Sequence, residues 1–310
     1  MGQASTGSRA AVCDVCGSTE SRPLFSARDY EHGVPGEWTV ARCTGCNLMF
    51  LSPMPADEEL PFFYPADYSA YRPSTLLGWM FRMVYRVDAR RIRRLIGGSG
   101  RILDVGCGNG EALLQIKRYG RWELFGVEFN RGAVDEARAA GLTVEEGDLS
   151  SCGFADASMS LIRMGHVIEH VPRPMKTLRR AHDLLAPGGV LYGETPNSDC
   201  SDFRLFGKYW GALHVPRHLC FFDSRSLRRA LRQAGFVDIV IAPRLRTVGW
   251  SCGIQNWLAD RAGLAVPRSG RVSWYVLLIL PFLAVTLLQS LSGRTATIAF
   301  SARKPRAAGR

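Results

Sequence analysis

The stretch Arg101-Ile102-Leu103-Asp104-Val105-Gly106-Cys107-Gly108-Asn109-Gly110 decides the fold. Ile102 to Val105 is a short apolar strand, three glycines follow at alternate positions, and Glu111 to Tyr119 continues as a helical run. Strand, glycine turn, helix is the order of nucleotide-binding α/β units, whose ligand lies at the carboxyl end of the strand. The glycines turn the backbone sharply and let a ligand approach without a Cβ in the way. A pyrophosphate-binding fingerprint would read Gly-x-Gly-x-x-Gly, whereas here Gly-x-Gly-x-Gly follows an acid, Asp104. That acid would repel a pyrophosphate and suits a cationic ligand with an amino group and a sulfonium.

Outward from the loop, strands and helices alternate. Leu124 to Val127 is a second strand ending at Glu128, about twenty residues past the loop, where an acid can accept both ribose hydroxyls. Leu142 to Val144 leads to Gly147-Asp148, whose carboxylate can take an adenine amino hydrogen bond. Met159 to Met164 runs into His166-Val167-Ile168-Glu169-His170, and a helix spans Pro174 to Leu185. After Ala186-Pro187-Gly188-Gly189 come a fifth strand, Val190 to Gly193, a helix, Ser226 to Ala234, and a sixth strand, Val237 to Ile241. Thr295 to Ala302 alternates well enough to supply a seventh, which makes residues 245–293 an insertion within the last hairpin. The expected fold is α/β, a doubly wound seven-stranded Rossmann-like sheet with its ligand at the strand carboxyl ends.

The 310 residues allow one such domain plus a small accessory module. Four of nine cysteines form two Cys-x-x-Cys pairs, Cys13 with Cys16 and Cys43 with Cys46. Each pair presents two thiolates from a tight turn, and Gly17 and Gly45 let backbone amides approach the sulfurs, so the four complete a tetrahedral structural Zn2+ site in a small ribbon. Residues 1–70 are thus read as a zinc-binding module with a Pro/Tyr-rich linker, and residues 71–310 as the catalytic domain. The remaining cysteines lack metal spacing and are expected as small core residues. Residues 1–12 lack an apolar signal run, so the nine cysteines do not read as a secreted disulfide framework and a cytoplasmic, reducing setting is expected. Prolines from Leu51 to Pro73 predict that no helix runs through that segment. Thr75 to Ile96 reads as a basic amphipathic helix, with Leu76, Met80, Met83, Val84, Val87 and Leu95 on its apolar side and Arg82, Arg86, Arg90 and Arg93 opposite. That stripe is a solvated face or a surface for anionic lipid or RNA, which the net charge of +11 also favours.

Ile-Leu-Asp-Val-Gly-Cys-Gly-Asn-Gly, the acid Glu128, His-Val-Ile-Glu-His-Val and Leu-Leu-Ala-Pro-Gly-Gly together resemble the class I S-adenosylmethionine-dependent methyltransferases over residues 101 to about 245. The sequence is most similar to the branch related to ubiquinone-biosynthesis O-methyltransferases. Its cysteine pairs, followed by Phe62-Phe63-Tyr64 and Tyr68, also resemble zinc-module-bearing bacterial methyltransferases that act on sugars, lipids or natural products. The resemblance implies S-adenosylmethionine as donor, contacted by Asp104, Gly106, Gly108, Gly110, Glu128 and Asp148. The sulfonium is already activated, so catalysis needs in-line positioning and, for a hydroxyl acceptor, removal of a proton. His166, Glu169, His170 and His218 are the candidates, with His214 nearby. In ubiquinone-type enzymes the corresponding loop reads Glu-Val-x-Glu-His and contributes to a divalent metal site. Here His166 replaces the first Glu, and Glu169, His170 and His218 remain as ligands for a metal at the acceptor site. The aromatic, basic stretch Ser201 to Phe222 is expected as a substrate lid. An RNA methyltransferase and a non-catalytic adaptor of the same fold are the alternatives.

Ser273 to Gly293 carries no charge, and its strongly apolar part reaches only about 22 Å as a helix, short of a hydrocarbon core of about 30 Å. Pro281 is expected to kink it. Strands on either side in one sheet would keep both ends of the insertion on the same side of a membrane. Residues 249–292 are therefore read as a monotopic contact with the cytoplasmic membrane face, or else as a buried helix or dimer interface. Trp250, Trp257, Trp274 and Tyr275 would anchor it, with Arg244, Arg246, Arg261, Arg268, Arg271 and Arg294 on head groups. A small-molecule or lipid-linked acceptor follows.

Overall fold

The computed structural model describes residues 12–64, 78–267 and 273–307. Tyr68, Leu76, Arg268 and Arg271 lie outside the described residues, as do the side chains of Met80, Arg82 and Tyr275. The chain opens with three antiparallel strands, β1 (Ser21–Ala27), β2 (Trp38–Cys43) and β3 (Met49–Leu51). A 3₁₀ turn of helix over Asp57–Phe63 contains Pro61, so the Pro-rich segment is not wholly irregular as expected. Its short span tolerates a residue without an amide donor.

Helix α1 (Gly78–Ile96) leads into the alternating core: β4 (Ser99–Val105), α2 (Glu111–Lys117), β5 (Arg121–Glu128), α3 (Arg131–Ala139), β6 (Thr143–Glu146), β7 (Met159–Gly165), α4 (Pro174–Leu184) and β8 (Leu185–Pro196). Then come α5 (Ser201–Phe206), β9 (Cys220–Phe221), α6 (Ser224–Gln233), β10 (Val237–Arg244), α7 (Val248–Ala262), α8 (Ile279–Leu291) and β11 (Thr297–Arg303). Sequence-local caps set several starts. Asn130 accepts the Ala133 amide at α3, Pro174 opens α4, and Asp223 forms a capping box with Ser226 at α6.

The large sheet has the order β10-β11-β8-β7-β4-β5-β6. Strands β6, β5, β4, β7 and β8 are parallel, and β11 enters antiparallel between β8 and β10. The seventh strand is where its alternation placed it, and the insertion does leave and re-enter one sheet. Successive side chains point to opposite faces. Ile102, Leu161 and Val190 pack with Ala89, Ile92, Leu113 and Ile116 of α1 and α2. Leu103, Ile162, Met164 and Leu191 pack on the other face with Leu178 of α4 and Leu227 of α6.

That second core also takes in Val15, Val40, Leu48, Met49 and Leu51 of the N-terminal module. The small sheet has the order β1-β2-β3-β9, so Met49 opposite Phe221 and Phe50 opposite Cys220 complete it from far along the chain. Asn47 donates to Asp223, the Met175 amide to Asp14, and Arg229 to the Gly45 carbonyl. Module and catalytic domain share one interior.

Three sequence expectations need correction here. Trp210, Leu219, Phe221 and Phe222 are fully buried, so Ser201 to Phe222 is the floor between the two sheets and not a lid. Among the described residues of α1, Asp88, Ala89 and Ile92 are buried, while Met83 is 51% exposed; a buried charge pair on Asp88 turns the helix away from its apparent apolar face. The apolar stretch changes from a 3₁₀ helix over Ser273–Leu278 to α8 at Ile279, so Pro281 falls in the first turn of α8, where no intrahelical donor is lost, and not within one continuous helix. Trp250 stacks on Phe282 at 5.3 Å and donates to Gln289, which ties α7 to α8. Among the described residues no helix is long and apolar enough to cross a membrane. On the outer side of α8, Leu287, Leu288 and Leu291 remain exposed, the last two at 69% and 85%.

Candidate functional site

The glycine loop lies at the carboxyl end of β4, beside β7, where the strand order reverses direction. Gly106, Gly108 and Gly110 all have positive φ, at 65°, 55° and 81°. A Cβ on Gly106 would stand 3.0 Å from Val167, and one on Gly110 would stand 2.2 Å from Leu142. At Gly108 it would meet nothing within 4 Å, so this glycine borders open space. Glu128, at the end of β5, accepts the Gly108 amide at 2.9 Å and the Asn130 amide at 2.9 Å. Both oxygens keep further acceptor capacity, and the carboxylate sits against the loop.

Asp104 differs from the expectation. Its carboxylate is 1% exposed and held by Arg163 at 2.8 and 3.0 Å, so the charge meant for a cationic ligand is already paired. Burial pushes its carboxyl above the ordinary range, and Arg163 offsets this only in part. Asp148 is exposed and closes its own turn, accepting the Ser151 amide at 2.8 Å and the Ser150 hydroxyl at 3.1 Å.

The second half of the site surrounds Glu169, which is fully buried after β7. Its Oε2 accepts from Thr195 at 3.0 Å and its Oε1 lies 3.0 Å from His166 Nδ1. His166 adopts φ 57°, which turns its other nitrogen toward Glu194 at 3.4 Å. Burial alone would lower its pKa, but the hydrogen bonds to Glu169 and Glu194 outweigh burial and hold the imidazole well above its ordinary value. His166 is therefore a cation between two acids, in place of the proton acceptor that the sequence suggested.

His170 and His218 behave oppositely. His170 Nδ1 lies 3.0 Å from the Arg217 carbonyl, and His218 Nδ1 lies 2.9 Å from the Ala212 carbonyl. A carbonyl can only accept, so each Nδ1 carries the proton and each Nε2 keeps its lone pair. Burial lowers His170 to about 4 and pushes His218 well below its ordinary value, which keeps both rings neutral. The rings stand 4.5 Å apart, and ligand-capable atoms of Glu169, His170 and His218 lie within 4.8 Å of one another. The donor set suits a divalent cation, and the Nδ1–carbonyl bonds are the outer-shell contacts that orient metal-binding imidazoles. Against this, both Glu169 oxygens already have partners.

A buried charge network links the two halves, and sequence reasoning missed it. Asp88 of α1 accepts from Tyr192 at 3.0 Å and pairs with Arg244; Arg244 also reaches Glu194 at 3.0 Å, and Arg246 pairs with Glu194. Arg244 therefore faces the interior and not a head-group layer, while Arg246, half-buried, is tied to Glu194. A lone arginine at 163 inside an apolar strand was the available signal.

Cys13, Cys16, Cys43 and Cys46 come together as their spacing implied, with sulfurs at 3.5 and 3.4 Å in the pairs Cys13–Cys46 and Cys16–Cys43 and all four within 4.8 Å. Zinc–sulfur bonds of about 2.3 Å in a tetrahedron require sulfurs about 3.8 Å apart, so the cluster fits that ion. The Gly45 amide donates to the Cys43 sulfur at 3.3 Å. Cys107, Cys152, Cys200, Cys220 and Cys252 are all buried, as small core residues.

The model of a methyltransferase domain family matches residues 80–240. The chain is 31% identical over 153 residues to a ubiquinone biosynthesis O-methyltransferase of Ruegeria pomeroyi, covering 45% of this chain and 60% of the relative. It is 28% identical over 192 residues to malonyl-[acyl-carrier protein] O-methyltransferase 1 of Coxiella burnetii, covering 58% and 64%. The chain thus spans less than two thirds of the length of either relative. A demethylmenaquinone methyltransferase of Geobacillus kaustophilus is 25% identical over 200 residues, covering 56% of this chain and 85% of the relative. Among solved structures, a SAM dependent methyltransferase from Archaeoglobus fulgidus aligns at TM-score 0.49 and 20% identity over 72% of this chain and 94% of its own. With the family match over more than half of its length, and with the strand order and the glycine loop in place, the chain belongs to the methyltransferase domain family.

Proposed function

We propose that this chain moves the methyl group of S-adenosylmethionine to a hydroxyl or carbon of a hydrophobic, lipid-linked or sugar-type acceptor at a membrane face. The observation that carries the reading is the pairing of a glycine loop bordering open space with two neutral imidazoles and a buried acid at the adjoining strand ends. Gly106, Gly108, Gly110 and Glu128 would cradle the donor, Asp148 would meet its adenine, and Asp104 would act through Arg163. Bound donor supplies an electrophilic methyl on a sulfonium. The lone pair at Nε2 of His170 or His218 would orient an acceptor hydroxyl and receive its proton, while His166 keeps Glu169 and Glu194 paired. Where Glu169, His170 and His218 instead hold a divalent cation, those same Nε2 lone pairs would be spent on the metal, and the cation would lower the pKa of a hydroxyl bound to it in place of an imidazole base. Cys13, Cys16, Cys43 and Cys46 would hold a structural zinc.

The exposed leucines of α8 support membrane contact, since a contiguous apolar face of this kind marks a contact surface. Relatives named for ubiquinone biosynthesis and for demethylmenaquinone support a hydrophobic acceptor. Arg86, Arg90, Arg93 and Arg94, exposed along α1, favour an RNA acceptor as the second reading. Labelled donor incubated with a cell extract tests the choice: label is expected in the lipid or small-molecule fraction, and label in RNA would favour the second reading. Liposome flotation with Leu287, Leu288 and Leu291 changed to Ser should lose binding to anionic vesicles that the unaltered chain shows.

A further inference from the structure

We propose that Asp29 and Glu31 of the N-terminal module are positioning residues for the histidine cluster, which the module grips through the 211–218 loop. The proposal rests on the reading of that cluster as the acceptor side of the site. Asp29 follows β1 and receives the Arg217 guanidinium on both oxygens, at 2.9 and 2.8 Å, with each side chain 1% exposed. Its carboxylate also accepts the amides of Glu31, His32 and Val34, at 3.0, 3.1 and 3.1 Å, which fixes it within its own turn. Arg217 donates further to the Phe63 carbonyl at 3.3 Å, so its guanidinium is held from two parts of the module. The carbonyl of this same Arg217 is the one that accepts from His170 Nδ1, and so keeps the ring's proton on that nitrogen. A planar bidentate pair fixes both position and rotation, and here it fixes the backbone group that sets a tautomer.

Glu31 makes the second grip. Its buried carboxylate lies 2.9 Å from His214 Nδ1, and the His214 ring packs 4.9 Å from that of His218. His214 has φ 42°, a conformation rarely adopted by a residue with a side chain, which persists only where its surroundings enforce it. Tyr64 makes the third, with its hydroxyl 3.1 Å from His170 Nδ1. Apolar residues could have filled the Asp29 and Arg217 positions at comparable stability, whereas an ion pair specifies one arrangement. Module and loop therefore form a single mechanical unit, in which Asp29 and Glu31 act on the imidazoles through Arg217 and His214.

The test uses the full chain with nitrogen-15 in its histidines. Long-range proton–nitrogen spectra report which ring nitrogen carries each proton in His170, His214 and His218. Glu31→Ala and Asp29→Asn should shift or broaden the His170 and His218 ring signals, while calorimetric affinity for S-adenosylmethionine changes by no more than about twofold, as for a distant site. Turnover with labelled donor and a lipid extract should fall about tenfold to a hundredfold, as expected for small displacements at a reacting centre. Glu31→Gln, which keeps an acceptor for His214, should recover most of both readouts. Unchanged ring signals in a folded, donor-binding Glu31→Ala chain would overturn the proposal, as would equal loss in the Gln and Ala variants. His218→Ala and His170→Ala serve as the separate arm: if they turn over normally while Glu31→Ala still shifts the rings, the acceptor-site reading fails and the positioning stands.

Discussion

Replacing Gly108 and Gly110 in turn separates donor binding from folding within a single loop. An alanine at Gly108 must hold φ near 55°, which costs about 1–2 kcal/mol for an L-residue in the left-handed region. Its Cβ touches nothing within 4 Å, so no packing penalty is added. At about 2–4 °C per kcal/mol for a larger domain, the melting temperature should fall by about 2–8 °C. The new methyl, however, occupies the space where the donor would lie against the backbone, and affinity for S-adenosylmethionine should drop tenfold or more, about 1.4 kcal/mol at least. Gly110→Ala inverts the pattern. Its Cβ would stand 2.2 Å from Leu142 and 3.4 Å from Ala137, so an overpacking cost of about 1–3 kcal/mol adds to the backbone cost. Calorimetric titration and thermal unfolding of both variants measure the two effects. A Gly108→Ala chain that folds and binds the donor as tightly as the unaltered chain would refute the placement of the donor against this loop.

Glu128→Ala should weaken donor binding by about 1.5–3 kcal/mol, since a charged acceptor is lost; calorimetry measures it, and an unchanged Kd would move the ribose elsewhere. Protein purified without chelator should contain one zinc per chain by elemental analysis, and Cys43→Ser should lower that content. Asp29 is held below the ordinary carboxylate range: burial opposes this, but its hydrogen bonds and charge contact with Arg217 prevail. Its stabilisation is therefore complete above an unfolded pKa of about 3.9 and is lost as pH falls through the lower folded value. Asp29→Asn should flatten the fall of urea midpoint with acidification in that window, and should cost about 3–5 kcal/mol at neutral pH by leaving Arg217 unpaired.

The catalytic sheet was legible because its signals are local: apolar runs of strand length, glycine turns and caps within a few residues of each boundary. Even the late strand over Thr297–Arg303 declared itself by alternation. The charge network was not legible, because Asp88 and Arg244 are 156 residues apart in the chain and each alone resembles an ordinary surface charge. The same pair explains the misjudged face of α1, since a buried acid inverts an amphipathic pattern. Glu169 and His170 were nameable from their motif and His218 from the stretch that follows the fifth strand, yet their protonation was not. His166 and His170 stand four residues apart, one charged and one neutral, because hydrogen bonds to two carboxylates outweigh burial at His166 while burial prevails at His170. The aromatic stretch before α6 read as a lid since nothing in its composition reveals a second sheet beneath it.

The two-residue strand β9 bears on how this chain can be taken apart. Met49 and Phe50 pair with Phe221 and Cys220, so each piece carries half of a seam. Cleaving the chain in the segment between Tyr64 and Gly78 would not release two tidy parts. One fragment would present a short open strand edge of Met49, Phe50 and Leu51, and the other would bare the aromatic floor around Trp210, Phe221 and Phe222 to water. Raw edges and apolar surfaces of that kind invite self-association. A library that exchanges N-terminal modules between relatives would therefore yield soluble chimaeras chiefly where the donor of the module also contributes the residues facing β3.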